Sequence, residues 1–198
     1  MSQKVWKRNF APGHGFEKAL AATRNPGHAD AIASPPENVE ELLQADVGGA
    51  GFTLSSFTAE DALELGHLLH ARLLAFAPAR AALISISTSS GSQTLYQSVT
   101  GGNTTPDNEV WVSRKRTTVL RFGVSSWLMN RKFEGDEAAF AAKFCMDPVQ
   151  AGQYAIHGGG VPIRVEGVAG VVAVVVVSGL KQHEDHGVIS EVIRENWV

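Results

Sequence analysis

The chain has 198 residues, a formal net charge of -3 and 44% hydrophobic residues, which suits one domain with a modest extension and gives no reason to expect nucleic acid or an anionic membrane as partner. Its one cysteine, Cys145, excludes an intramolecular disulfide and any cysteine-rich metal knuckle. No stretch approaches the ~20 apolar residues of a membrane span, and Met1 to Phe10 lacks the apolar core of a secretory signal, so the expected compartment is reducing and cytoplasmic.

Residues 1–33 differ from the rest. Lys4, Lys7, Arg8, Lys18 and Arg24 face only Glu17 and Asp30, while Pro12, Gly13, Gly15, Pro26 and Gly27 break any periodicity. Such a start suits an organelle transit peptide or, the preferred reading, a poorly ordered basic extension whose aromatics Trp6, Phe10 and Phe16 are free to dock. A single domain is expected over residues 34–198.

Ser34-Pro35-Pro36-Glu37 has the form of a capped helix start, with Val39, Leu42 and Leu43 on one face and Gly48, Gly49 and Gly51 as the stop. Phe52 to Phe57 gives a weak strand signal. Thr58-Ala59-Glu60-Asp61 resembles a capping box with Asp61 at its third position. From it Ala62, Leu65, Leu69 and Leu73 repeat at helical spacing until Pro78. Residues 82–87 and 93–99 read as an antiparallel hairpin across Ser89-Ser90-Gly91-Ser92.

Asp107 or Asn108 is then expected to cap a helix reaching Phe122, with a continuation from Ser125 to Phe133 beyond Gly123 and a short helix from Glu137 to Phe144, closed by Pro148. Residues 158–165 form a glycine-led strand. Its expected antiparallel partner, Val171 to Val177, is β-branched and shows no alternation, so neither face expects water and a central strand covered on both sides follows. Ser178, Gly179 and Leu180 turn the chain into a last helix carrying Val188, Ile189, Val192 and Ile193. The order is that of an α+β fold, an antiparallel sheet with helices on its faces. An open sheet leaves edges, which self-association often covers.

Four stretches carry polar chemistry. On a helix, Arg114, Thr117 and Arg121 share a stripe with Trp111 at its head. Two guanidiniums there make a carboxylate or phosphate fork, or else a solvated face whose stems pack over Trp111. His157 precedes Gly158, Gly159 and Gly160, where backbone can approach a ligand closely. It reads as a metal or haem ligand, as a general base, or as a ring bonded to nearby backbone beside a bulge. His183 and His186 stand three apart on a helix with Glu184 and Asp185, a spacing able to chelate a metal. Acids in a first turn are equally favoured by the helix dipole, and Asp185 is placed to cap amides of the Ser178-Gly179 turn; no dedicated metal site is assigned. Finally, Trp197-Val198 puts a large aromatic and a valine at the end of the sequence, either packed back or offered to a carboxylate clamp of a helical-repeat (TPR) co-chaperone.

The segments NEVWVSRKRTTVLRFGVSS (108–126), YAIHGGGVPI (154–163) and VSGLKQHEDH (177–186), with SFTAEDALELG (56–66), resemble the HbpS-like (haem-degrading, GlcG-like) domain family, and within it a small cytoplasmic branch with fungal and bacterial members. The resemblance covers about Glu37 to Arg194 and leaves the basic start outside. It implies a profilin-like fold in α-β-α layers and a symmetric homo-oligomer. It also implies a shared pocket lined by Trp111, Arg114, Arg121, His157, Gly158, Gly159, Asp185 and His186, to which the turn adds Ser178. Haem is the one cofactor it implies, with Arg114 and Arg121 on the propionates, and a small anionic ligand is the other occupant expected. No catalytic residue is assigned. Fungal relatives suggest, as the alternative, a non-catalytic adaptor in chaperone-assisted targeting of tail-anchored proteins, reached through Trp197 and Val198.

Overall fold

The computed structural model describes residues 4–44, 51–91 and 93–198. Gly48 and Gly49, expected to end the first helix, and Ser92 of the hairpin turn lie outside the described residues.

The elements run α1 (Phe16–Arg24), α2 (Val39–Gln44), β1 (Phe52–Leu54), α3 (Ala59–Leu73), β2 (Leu83–Thr88), β3 (Thr94–Val99), α4 (Pro106–Phe122), α5 (Ser126–Lys132), α6 (Glu137–Lys143), α7 (Pro148–Ala151), β4 (Gly160–Val165), β5 (Ala173–Ser178) and α8 (Gln182–Asn196). The strands form one sheet in the order β1-β4-β5-β2-β3. It is antiparallel except at one edge, where β1 runs parallel to β4.

β5 is the middle strand and is buried along its whole length. The reason lies in the pleat, which sends successive side chains to opposite faces. Ala173, Val175 and Val177 join Ile84, Ile86, Val161 and Ile163 beneath α3 and α8. Val174 and Val176 join Leu83, Val112 and Val119 beneath α4. A strand with helices on both sides can be valine throughout, and the fold is accordingly an α+β sandwich in three layers.

The caps explain where the flanking helices begin. Thr58 Oγ1 accepts from the Asp61 amide at 3.2 Å and Asp61 Oδ2 accepts from the Thr58 amide at 2.7 Å, so the expected box closes with aspartate. α4 starts two or three residues earlier than Asp107 or Asn108 as cap would require. Thr105 precedes Pro106, and Asn108 Oδ1 accepts from the Thr105 amide at 2.8 Å from inside the first turn. Gly123, left-handed at φ 65°, ends α4, and Ser125 opens α5.

Within residues 4–33, read from sequence as a poorly ordered basic extension, Trp6, Ala19 and Ile32 are buried and most residues of 24–31 are exposed. Trp6 is buried with its ring edge-on to Phe52, and its backbone bonds to Thr53 and Ser55 beside β1. Arg8 reaches Asp61 Oδ1 at 3.1 Å and Glu64 Oε1 at 2.9 Å. Both carboxylates are buried on α3, so the body holds two acids that need a cation, and the basic segment supplies it. Lys7 and Val198 exchange backbone hydrogen bonds at 2.7 Å, and the Trp197 ring belongs to the core.

Candidate functional site

At the carboxyl end of β5 the Ser178-Gly179-Leu180 turn meets the start of α8, the first half of α4 and the loop before β4. The cleft between them has a volume of about 230 Å³ and is lined by Asn108, Trp111 and Lys115 of α4, His157, the turn, and Gln182 and Asp185 of α8.

Its floor is a buried ion pair. Lys115 Nζ donates to Asp185 Oδ2 and to the Val177 carbonyl, each at 3.0 Å, and Asp185 Oδ1 accepts the Leu180 amide at 3.0 Å. Both side chains are 4% exposed. Burial pushes the Asp185 carboxyl up from its ordinary value, while Lys115 and the Leu180 and Gly179 amides pull it back. An ammonium has three donors and two are spent here, so one remains for the cleft. Gln182 Oε1 accepts from Gly158 and from Asn130 Nδ2, which leaves its amide nitrogen as a further donor. At the mouth, the half-exposed His157 ring stands edge-on to Trp111, centroids 4.8 Å apart, with Nδ1 3.4 Å from Glu137 Oε1.

The glycines serve this floor. Gly159 has φ 111°, and a Cβ there would lie 2.5 Å from the Val177 carbonyl and 2.8 Å from Lys115 Nζ. A Cβ on Gly158 would strike the Gln182 backbone. Both residues pack the turn; neither lines the cleft.

Of the expected pocket residues, the structure gathers Trp111, His157, Ser178 and Asp185. Arg114 and Arg121 go elsewhere. Arg114 Nε donates to the Tyr154 carbonyl at 2.9 Å and the guanidinium stacks on Trp111, 4.7 Å from the ring centroid. Arg121 contacts the Met146 sulfur and lies over the rings of Phe122, Phe144 and Tyr154. Their stripe packs over aromatic rings instead of forming an anion fork. His186 leaves the site as well. Its ring is fully buried, bonds to nothing at either nitrogen among the described residues, and burial lowers its pKa to about 3. Among the described residues no three His, Cys, Asp or Glu gather as a metal-holding group.

Sequence reasoning missed Lys115, together with Asn108, Gly179, Leu180 and Gln182. The signal for Lys115 was present: it sits in register between Val112 and Val119, a lysine in an otherwise apolar stripe. A cation there must be paired, and Asp185 is the acid that pairs it.

The family described as "Haem degrading protein HbpS-like" matches residues 57–194. A UPF0303 protein of Streptomyces avermitilis is 39% identical over 163 residues, covering 82% of this chain and 93% of that one. The UPF0303 protein YBR137W of Saccharomyces cerevisiae is 40% identical over 133 residues, covering 67% of this chain and 71% of its own. The crystal structure of Ybr137w superposes with a TM-score of 0.69 at 36% identity, over 80% of this chain and 87% of that one. The crystal structure of HbpS gives 0.53 at 16% identity, over 70% and 89%, a likeness of fold.

Proposed function

The chain belongs to the HbpS-like family, and from that premise we propose that the cleft between α4 and α8 binds a small anionic ligand. The observation that carries this reading is the buried Lys115 ammonium, with one donor uncommitted at the floor of a concave, partly apolar site. Trp111 and His157 supply a flat wall, and the Gln182 amide supplies a second donor. The Asp185 charge is offset by Lys115, so the pair is net neutral and an anion meets the remaining Lys115 donor without a net opposing charge.

Haem is the ligand named by the family's description. The cleft does not fit it: about 230 Å³ falls below the ~300–1,000 Å³ of sites for drug-sized ligands, and the two arginines expected at the propionates are held by Tyr154 and by aromatic rings. The alternative reading, an adaptor engaging a TPR co-chaperone through Trp197 and Val198, has the Trp197 ring at 1% exposure and the Val198 side chain at 62%. A homo-oligomer remains part of the proposal, supported by β3, an edge strand that among the described residues pairs with β2 alone, and light scattering of the purified protein tests it. No helix among the described residues is long and apolar enough to cross a membrane, and the cytoplasm is the compartment we propose.

Calorimetric titration with short mono- and dicarboxylates and with inorganic phosphate tests the ligand class. One of them should bind saturably, and Gln182→Ala and Lys115→Met should each weaken it about tenfold or more, the value of a charge-assisted hydrogen bond. Binding untouched by either substitution would remove the reading. A saturable Soret shift with haem, lost in His157→Ala, would replace it with haem binding.

A further inference from the structure

β3 closes one edge of the sheet and carries α3 on one face. Its residues, Thr94–Val99, include no charge and no proline, and Val99 is 49% exposed. Edge strands that stay in water are ordinarily guarded by such residues, because their free amides and carbonyls recruit another strand.

The flank of α3 beside this edge has the same character. The helix carries charge on its other side, where Asp61 and Glu64 hold Arg8, and Arg72 holds Glu191 of α8. Toward β3 stand Leu63, His67 and His70, a stripe at i, i+4 and i+7, with Leu63 42% exposed. The helix sits down on the strand. A Cβ on Gly66 would overlap the Tyr96 ring, and the His67 ring is edge-on to Tyr96, centroids 5.4 Å apart. His70 Nδ1 lies 3.0 Å from Ser98 Oγ, which donates to the Tyr96 hydroxyl at 3.0 Å.

We propose that this strand and flank receive a second copy of the chain about a two-fold axis, and that protonation of His67 and His70 releases it. The contact is one interface of the homo-oligomer proposed above and rests on that reading. A two-fold contact sets a surface against itself, so close to the axis like charges would meet. β3 and the stripe from Leu63 to His70 bring none while the histidines are neutral. Antiparallel pairing of β3 with its twin gives the free backbone groups partners and puts both α3 helices on one face of a continuous sheet. α3 lies over β2 and β3, so strands ~4.8 Å apart set the two helix axes ~10 Å from each other, a separation at which helices pack.

Acid would place up to four positive charges in this contact. Burial, and then the charge of His67, already hold His70 below its ordinary value in one protomer, while burial keeps the Tyr96 hydroxyl protonated. Phe16 of α1 meets the His67 ring without a charge. Glu60 is exposed at the start of the flank, and Glu109 is bonded to Gln97 at 2.9 Å. Because the contact takes the neutral rings, association is full above the ordinary histidine range and is lost as pH falls through it.

Light scattering of the full-length protein at pH 8 and pH 5.5, with circular dichroism to follow the fold, tests this. The mass at pH 8 should be an even multiple of the protomer and should fall by half or more at pH 5.5. Leu63→Lys and Val99→Lys, each at a position exposed in the protomer, should cause that fall at pH 8, and Val149→Lys, at the exposed valine of α7, should not. The double variant His67→Gln/His70→Gln should keep its full mass at pH 5.5. An oligomer that survives both lysine substitutions, that ignores pH, or that dissociates in acid without the two histidines overturns this interface and leaves the homo-oligomer to another face. A monomer at pH 8 overturns both.

Discussion

Asp185 and His186 follow one another on α8 and are buried to nearly the same degree, at 3% and 0% exposure, yet the fold treats them in opposite ways. Asp185 is paired with a lysine, bonded to a backbone amide and set at the floor of a cleft. His186 is bonded at neither nitrogen among the described residues and belongs to the lining of another cavity. One step along a helix turns a side chain by about 100°, enough to send adjacent residues to different surroundings. Burial alone therefore says little about a polar residue; its partners say what it is for.

The sharpest way to break this contrast is to remove the partner of the satisfied residue. Lys115→Met should cost about 3–5 kcal/mol in urea denaturation, because it leaves Asp185 buried without a counter-charge. The double variant Lys115→Met/Asp185→Leu should recover most of that loss, and no recovery would mean that the pair is not what the site depends on.

Gly159→Ala attacks the same floor from its backbone. The left-handed φ and the close Val177 carbonyl predict a loss of about 2–3 kcal/mol, with Lys115 displaced from Asp185. A variant as stable as the wild type would show that the loop yields where the geometry says it cannot.

His186 offers the opposite test, through pH. Its folded pKa, about 3, is depressed below the ordinary 6.5. The stability due to the neutral ring is thus complete above 6.5 and is lost as pH falls toward the folded value. Between pH 8 and pH 5.5 this residue alone should lower stability by about 1.4 kcal/mol. The difference in unfolding free energy between wild type and His186→Leu, followed across that range, reads it directly. A difference constant with pH would mean that the ring is not held neutral.

The smallest effect is expected outside both cavities. Arg114→Ala should cost about 1 kcal/mol for the Tyr154 bond and leave anion binding in the cleft unchanged. A large loss of affinity would restore Arg114 to the site from which its packing removes it.

These contrasts also mark how far the sequence could be read. The valine run was legible as a buried central strand because β-branching and the lack of alternation are local properties. The Thr58–Asp61 box and the helix after it were legible for the same reason. Of the four cleft residues found, Ser178 and His157 came from the turn after a buried strand and a histidine beside glycines, and Trp111 and Asp185 from the family resemblance. Lys115 was passed over for Arg114 and Arg121, since a stripe drawn on an isolated helix does not say which face meets the sheet. Arg114 and Arg121 then found aromatic faces and a carbonyl that no spacing rule records.

By itself, the sequence determined the central strand and the cap of α3, which follow from periodicity and local chemistry within short windows, and the family and its layers, which followed from the resemblance of its motifs. Tertiary structure alone decided which polar residues share a cleft. Lys115 and Asp185 are 70 positions apart, and Arg8 is over 50 from the acids it neutralises, so their pairing depends on how α4, α8 and the first residues fold onto one sheet. It also decided that Trp197 lies in the core and that His186 faces away from Asp185. The physical reason is common to all of these: burial makes an unpaired charge or polar group costly, and which partner is within reach is set by packing rather than by nearness in the chain.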